Sequence, residues 1–356
     1  MNGKGFLAAV FAVIAAVGAA AQVPPKVTAN GLKADVSFLA SDALEGRATP
    51  SKGLDIAAEY IAAEFRRAGL EPAGDDGYFQ TADLKSVLSM LPAGESAQNS
   101  LVHIPAAVAQ PPVKLRNVIG VLRGSDPALK DTYLVLTAHY DHLGVGGSGE
   151  GDRIFNGAND DASGTSSVIE IAKALAALPQ RPRRSIVFMT LFGEELGVLG
   201  SRYYCQHPAF PLARTVADIN LEQLGRTDDS EGPRLLQFNL TGFDYTDIAA
   251  FMSKAGGDTG IKVVKDESNS DSFFSRSDNA AFADAGVPST TLSVSYIYPD
   301  YHRPGDKWPK LDYDNMANVD DAVALGVFRI ADSAEAPQWN KANRKTAGYV
   351  EARAKQ

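Results

Sequence analysis

The stretch YLVLTAHYD, residues 133–141, decides the fold class of this chain. It opens with a mainly apolar run, residues 133–138, that is too short for a helix and rich in strand-forming side chains. The run leads directly into the polar sequence His139-Tyr140-Asp141. Runs of the same kind occur at residues 118–122, 186–191, 216–221 and 288–294. We predict that all five runs are strands of one sheet.

Helical patterns alternate with these runs. Apolar residues recur at helical spacing in residues 168–178, in residues 245–255 and in a closing segment at residues 319–330. An earlier amphipathic helix is expected at residues 54–65, with Gly69 as its C-terminal stop. Alternating strands and helices are typical of a sheet covered by helices on both faces. We therefore predict the α/β class: a three-layer α/β/α sandwich with a central mixed, mainly parallel sheet.

Length and composition narrow the protein class. The chain has 356 residues, of which 45% are hydrophobic, and these values predict a globular protein with one large domain. It carries 34 Lys and Arg against 43 Asp and Glu, so no basic surface for nucleic acid is expected. The single cysteine, Cys205, excludes an internal disulfide. Any metal site must therefore use His, Asp and Glu.

Three segments are expected to lie outside the sandwich. Residues 1–21 combine Lys4, an apolar run and small residues up to Ala21, which is the pattern of a cleaved secretory signal peptide. The apolar run is shorter than the roughly 20 residues that span a bilayer. We predict one domain at residues 22–336, with an irregular insertion at 86–112, and a solvated basic tail at 337–356. A secreted or periplasmic protein without a membrane span follows, and no feature of the sequence indicates its oligomeric state.

Acidic and imidazole side chains follow three of the predicted strands. His139 and Asp141 follow residues 133–138, the pair Glu194-Glu195 follows residues 186–191, and Glu222 follows residues 216–221. A polar turn at residues 157–164, with Asp160 and Asp161, precedes the helix at 168–178. In open α/β sheets, ligands bind beyond the carboxyl ends of the strands. We expect these side chains to lie in one crevice.

Each of these residues also has an ordinary structural interpretation. A histidine after a strand is commonly a hydrogen-bonded group, an aspartate before a helix is commonly an N-cap, and Glu194-Glu195 fits a solvated turn. Together, however, they would leave several unpaired carboxylates in one crevice, which is unfavourable unless a cation lies among them. Imidazole and carboxylate without thiolate suit zinc, with manganese or cobalt as substitutes. In an adjacent acid pair, one residue can bind metal while the other accepts a proton from water, as in hydrolases.

Four motifs in this order resemble those of the secreted two-zinc aminopeptidase family, peptidase clan MH, whose relatives include glutamate carboxypeptidase and glutaminyl cyclase. They are His139-Tyr140-Asp141, the turn at 157–164, the run FGEELGVLGS at 192–201, and Tyr301-His302. The resemblance covers roughly residues 36–330. It implies the phosphorylase/hydrolase-like fold of zinc exopeptidases, two zinc ions per chain, and hydrolysis of N-terminal residues from peptide substrates.

The resemblance also implies a role for each matching metal-site residue. His139 would bind one zinc ion, with Asp141 as the carboxylate that orients its imidazole. Asp160 would bridge both ions, and Glu195 and His302 would hold the other ion.

The remaining matching residues would act on the substrate or complete the site. Glu194 would be the general base, and Tyr301 is either a hydroxyl donor to the developing oxyanion or a packing aromatic. Glu222 would bind the ion held by His139, but the family more often has the shorter Asp there. Glu222 is therefore either a metal ligand or a contact for the substrate ammonium group.

The three other histidines, His103, His142 and His207, are not expected to bind metal. Two alternatives to an aminopeptidase share the same scaffold. A glutaminyl cyclase would use one zinc ion on Asp160, Glu195 and His302, and would leave His139 and Glu222 without a role. A catalytically silent binding domain would require the loss of metal ligands, and this sequence retains them.

Overall fold

The structure is a computed structural model that describes residues 26–90, 114–146 and 150–356. The strands in these ranges are β1 Glu71–Pro72, β2 Phe79–Asp83, β3 Lys114–Leu122, β4 Tyr133–His139, β5 Gly144–Val145, β6 Ile154–Phe155, β7 Ser185–Leu191, β8 Thr215–Leu221, β9 Asp228–Asp229, β10 Gly232–Pro233, β11 Gln237–Leu240, β12 Lys262–Val264 and β13 Ser289–Ser293. The α-helices are α1 Ala29–Leu39, α2 Lys52–Arg67, α3 Leu84–Leu88, α4 Gly164–Ala176, α5 Leu199–Gln206, α6 Ile248–Thr259, α7 Asn279–Asp284, α8 Tyr313–Asp332 and α9 Ala347–Ala354.

A nine-stranded mixed sheet forms the centre of the fold. Its order is β1-β3-β7-β4-β8-β13-β11-β12, and β2 also pairs with β3. The four central strands, β7, β4, β8 and β13, are parallel, whereas β3 and β11 join them antiparallel. Every residue of β4, β7 and β8 is buried, as expected for parallel strands covered on both faces. All five strands predicted from the sequence are present.

Alternate residues of the central strands pack into two separate cores. Leu134 and Leu136 of β4 belong to the core that includes side chains of α1, α2, α4, α6 and α8. Val135, between them, belongs to the opposite core with Tyr204 of α5 and Phe282 of α7. Because successive strand residues point to opposite faces, one strand serves both layers. The predicted α/β/α sandwich is confirmed.

The predicted amphipathic helices bury their apolar stripes. In α2, every residue of the predicted stripe is buried: Leu54, Ala57, Ala58, Ile61 and Phe65. Gly69, which follows the end of α2, has φ +77°, a conformation that favours glycine. In α8, the predicted inward residues Val319, Val323, Val327 and Ile330 are fully buried.

The C-terminal segment differs from the predicted solvated tail at 337–356. Trp339 is only 5% exposed, and its indole Nε1 donates a hydrogen bond of 2.9 Å to the Gly286 carbonyl oxygen. It stacks on Tyr349 of α9, and both rings pack against Phe274. The basic residues made this segment look solvated, but its aromatic side chains anchor it to the domain.

Two other predicted segments lie mostly outside the described residues. The signal peptide at 1–21 is outside them entirely. Of the irregular insertion at 86–112, residues 86–88 form the end of α3, and residues 91–112 fall outside the described part of the chain. Among the helices in the three described ranges, none has the length and apolar character that crossing a bilayer requires.

Candidate active site

The ends of three neighbouring parallel strands define the site. β4 lies between β7 and β8 in the sheet, and its last residue, His139, pairs with Leu191 at the end of β7. Glu194 and Glu195 follow β7, and Glu222 follows β8. The strand order thus brings these acids beside His139, as the sequence pattern predicts.

A first group of side chains able to hold a metal ion consists of His139, Asp160 and Glu222. One ligand atom from each lies within 4.8 Å of the others. His139 Nε2 is 3.2 Å from Asp160 Oδ1, and both atoms are buried. Neither atom has a hydrogen-bond partner within the described residues, which is costly unless another group satisfies them. A cation between them is the group that their chemistry fits.

A second group consists of His142, Asp160 and Glu195, with ligand atoms also within 4.8 Å of one another. His142 Nδ1 lies 2.7 Å from Glu195 Oε1. His302 adjoins the same carboxylates, with its Nε2 at 3.0 Å from Asp160 Oδ2 and 3.4 Å from Glu195 Oε2. Asp160 therefore belongs to both groups, the position that a bridging ligand requires. His142, which was not expected to bind metal, also lies among these ligand atoms.

The charges in the site favour a divalent cation. Burial raises the pKa of Glu194 well above its usual range, and the neighbouring Glu222 and Glu195 carboxylates raise it further. Burial alone would lower the pKa of His139, but the surrounding carboxylates raise it well above the usual value. Burial would raise the pKa of Asp160, yet His139 and His302 hold it well below the usual value. Carboxylates outnumber imidazoles here, so zinc would balance the excess negative charge.

Asp141 connects His139 to Glu194. Its Oδ2 accepts a hydrogen bond of 3.0 Å from the Thr49 hydroxyl, and its Oδ1 accepts one of 3.1 Å from the Glu194 backbone N–H. His139 Nδ1 is 3.5 Å from Asp141 Oδ1 and 3.2 Å from the Asp141 carbonyl oxygen. The acceptor nearer to the His139 imidazole is thus the Asp141 carbonyl oxygen. The Asp141 carboxylate instead holds the backbone of the segment that carries Glu194.

Asp306 holds the backbone of the turn that carries Asp160, a role that no sequence pattern predicts. Its carboxylate accepts hydrogen bonds of 3.0 Å from the Asn159 N–H and 3.1 Å from the Asp160 N–H. The Tyr298 hydroxyl donates a third bond of 3.0 Å. In the sequence, Asp306 follows Pro304-Gly305, a pattern that indicates only a turn.

Arg47 is a second positioning residue that sequence reasoning missed. Its guanidinium is fully buried and donates hydrogen bonds to the carbonyl oxygens of Tyr140 (2.8 Å), Asn156 (2.8 Å), Gly157 (3.0 Å) and Leu39. Burial lowers its pKa to about 10, although Asp141 and other nearby carboxylates oppose this shift. Arg47 thus ties the segment after β4 to the turn before Asp160, from a distant part of the sequence.

Replacing Arg47 by methionine is expected to lower the free energy of unfolding by about 3 kcal/mol, because buried carbonyl groups lose their donors and buried carboxylates lose a cation. Urea unfolding followed by circular dichroism measures the change. The matched control is Arg181→Met at an exposed arginine, which should stay within about 0.5 kcal/mol of the wild type. A similarly small effect of Arg47→Met would contradict the assigned role.

Tyr301 and Glu194 line an open pocket beside these groups. Its walls are formed by Asp160, Glu194, Glu222, Gln223, Thr241, Phe273, Arg276, Ser277, Thr291, Ser293, Tyr296, Tyr301 and His302. The Tyr301 ring stacks on the His302 imidazole, with 4.0 Å between ring centroids. Burial and the nearby carboxylates raise the pKa of Tyr301, so its phenol stays protonated at neutral pH and can donate a hydrogen bond. Both interpretations of Tyr301, donor and packing aromatic, fit this position.

Comparison with known proteins gives a family match over the part of the chain that contains the site. The model of peptidase family M28 matches residues 117–327. Aminopeptidase YwaD of Bacillus subtilis (strain 168) is 26% identical over 239 residues, which are 65% of this chain and 48% of YwaD. The chain thus spans about half the length of that relative.

The match to solved structures of the same fold extends over nearly the whole length of those structures. BSAP, a zinc aminopeptidase from Bacillus subtilis, superposes with a TM-score of 0.63 at 19% identity, over 88% of this chain and 96% of BSAP. A glutaminyl cyclase from Bacteroides thetaiotaomicron gives a TM-score of 0.58 at 16% identity, over 86% of this chain and 99% of the cyclase. At these identities the likeness concerns the fold alone, and it confirms the expected α/β fold with a mixed central sheet.

Proposed function

Because the chain belongs to peptidase family M28, we propose that it is a zinc-dependent aminopeptidase that removes N-terminal residues from peptides. The main support is that Asp160 is shared by two groups of side chains able to hold a metal ion, and that Glu194 lies beside them on the wall of an open pocket. The names of YwaD, an aminopeptidase, and of BSAP, a zinc aminopeptidase, support the same activity.

The residues around Asp160 favour a peptidase over the alternatives. A glutaminyl cyclase with one zinc ion would need only Asp160, Glu195 and His302. Here His139 and Glu222 also converge on Asp160. A catalytically silent binding domain would be expected to have lost metal ligands, whereas both groups of possible ligands are present here. We therefore propose two zinc ions per chain, which share Asp160.

Zinc bound by these groups would supply Lewis acidity that activates water and polarises the scissile carbonyl group. The residues of the chain provide the proton transfers. Glu194 faces the pocket and lies 4.0 Å from His139 Nε2, and its backbone is fixed by Asp141. It accepts the proton of the attacking water and returns it to the leaving amine. In this proposal, the Tyr301 phenol donates a hydrogen bond to the carbonyl oxygen as negative charge develops there.

We also infer that the protein is exported to the periplasm or the medium. The support is the sequence at residues 1–21, in which Lys4, an apolar run and Ala19-Ala20-Ala21 have the order of a secretory signal. Peptides in that compartment would then be the substrates.

The activity is tested with the full chain and a panel of aminoacyl-anilides, together with a glutaminyl peptide as the cyclase substrate. We expect release of aniline from at least one aminoacyl-anilide, loss of that activity on dialysis against a strong chelator, and its return with zinc. Cyclisation of the glutaminyl peptide without any anilide hydrolysis would contradict the proposal. Hydrolysis that persists without metal would contradict it as well.

A further inference from the structure

His142 belongs to the second group of ligand atoms and is enclosed by the surrounding chain. It is fully buried three residues after His139, and its backbone N–H donates a hydrogen bond of 3.3 Å to the Arg47 carbonyl oxygen. Its ring packs against Gly157, where a Cβ atom would lie only 2.4 Å from His142 Cγ. Gly157 also has φ +57°, a backbone conformation that favours glycine. The His142 ring is therefore closely packed against a position that only glycine can occupy.

The contact between His142 and Glu195 does not have the geometry of a hydrogen bond. His142 Nδ1 and Glu195 Oε1 are 2.7 Å apart, yet each lacks a hydrogen-bond partner in the described part of the chain. A hydrogen bond requires the N–H to aim at the acceptor, and distance alone does not supply one. Two close, buried ligand atoms that do not aim at each other are suited to bind a third atom between them.

Glu195 lies between two imidazoles. Its Oε1 is next to His142, and its Oε2 is 3.4 Å from His302 Nε2. The rings of His142 and His302 are 5.7 Å apart between centroids and nearly perpendicular, at 74°. Together with Asp160 and the adjoining His302, the group of His142 and Glu195 offers two imidazoles and two carboxylates. The group of His139, Asp160 and Glu222 offers one imidazole and two carboxylates.

We propose that His142 Nδ1 is a fourth protein ligand of the ion held by Asp160, Glu195 and His302, which makes this ion the more tightly bound of the two. This inference rests on the proposed function, since it presupposes the two-zinc site. The resemblance to aminopeptidases assigns no role to His142.

The two ions would then differ in their number of protein ligands. Four protein ligands complete a tetrahedral zinc shell, whereas three leave a coordination position open. An ion beside His139 would have three protein ligands, and His139 Nε2 lies 4.0 Å from Glu194 Oε2. This ion would therefore keep a free coordination position near the general base, whereas the ion beside His142 would be fully ligated by protein side chains.

The competing explanation is that His142 only donates a hydrogen bond to Glu195. The variant His142→Asn separates the two, because the asparagine amide nitrogen takes about the position of Nδ1 and still donates a hydrogen bond but does not bind zinc. His207→Asn is the matched control, since His207 is exposed and its ring contacts Tyr203 away from the site.

The test is a zinc titration of the metal-free protein against a competing chelator, which gives a dissociation constant for each ion. In His142→Asn we expect the tighter constant to rise at least ~10-fold and the weaker one to stay within about twofold of the wild type. His207→Asn should leave both constants unchanged. If both constants of His142→Asn equal those of the wild type, the inference is wrong while the proposed function stands. A wild-type protein that binds no zinc would instead overturn the proposed function itself.

X-ray absorption at the zinc edge tests the same claim without a variant, and it decides the matter if His142→Asn does not fold. The wild-type protein is loaded with one equivalent of zinc, so that the tighter position fills first. We expect two imidazole ligands on that zinc, from His142 and His302. A single imidazole would contradict the inference.

Discussion

Replacing Glu194 by glutamine is expected to leave both zinc ions bound and to reduce kcat by about 10²- to 10⁴-fold, with little change in KM. Glutamine has nearly the same shape as glutamate, so the pocket keeps its form and the Glu194 backbone keeps its hydrogen bond to Asp141. Its amide cannot accept the proton of the attacking water. Steady-state kinetics on the best aminoacyl-anilide, with a zinc count on the same sample, measures both quantities.

The neighbouring Glu195 provides the matched control for this variant. Its Oε1 and Oε2 adjoin His142 and His302, so Glu195→Gln should weaken zinc binding as well as activity. A Glu194→Gln protein that keeps more than about a tenth of the wild-type kcat would show that Glu194 is not the general base. Loss of zinc from that variant would assign Glu194 to the metal instead.

Shortening Glu222 to aspartate is expected to remove one zinc ion and leave the other. The change draws the carboxylate back by one carbon–carbon bond, about 1.5 Å. Because metal sites tolerate little displacement, affinity at the ion beside His139 should fall by about 10- to 100-fold. The ion beside Glu195 should remain, since Glu222 is not part of that group. Zinc per chain after dialysis against a weak chelator measures the effect.

The other interpretation of Glu222 has a different outcome. If its carboxylate binds the substrate ammonium group, Glu222→Asp would raise KM and leave two tightly held zinc ions. Two retained ions would therefore contradict the ligand assignment. Glu267→Asp is the control, because Glu267 is 77% exposed on its side chain and should change neither quantity.

The sequence predicts the central sheet because its strands are short apolar runs that end in polar residues. The same logic places His139, Glu194, Glu195 and Glu222 together, since the carboxyl ends of parallel strands meet at one edge of the sheet. The strands β11 and β12 were not predicted. They are only four and three residues long, and such short runs have no distinct period.

The residues that position the site could not be found from local patterns. Arg47 and Asp306 are far from Asp160 in the sequence and lie on opposite sides of it. Each binds backbone atoms of the turn, and every residue type has these atoms, so the sequence around Asp160 does not indicate the contacts. The position of His142 among the ligand atoms could not be predicted, because a residue in a turn has no period that tells where its side chain points. Trp339 was overlooked because basic residues dominate the composition around it.

The dependence of peptidase activity on zinc content shows whether the site needs two ions. The full chain is stripped of metal, zinc is added in steps, and anilide hydrolysis is measured at each step with the zinc bound per chain. If two ions share Asp160, activity should stay low through the first equivalent, which fills the tighter position, and reach its maximum at two zinc ions per chain. Full activity at one zinc ion per chain would contradict the two-ion site.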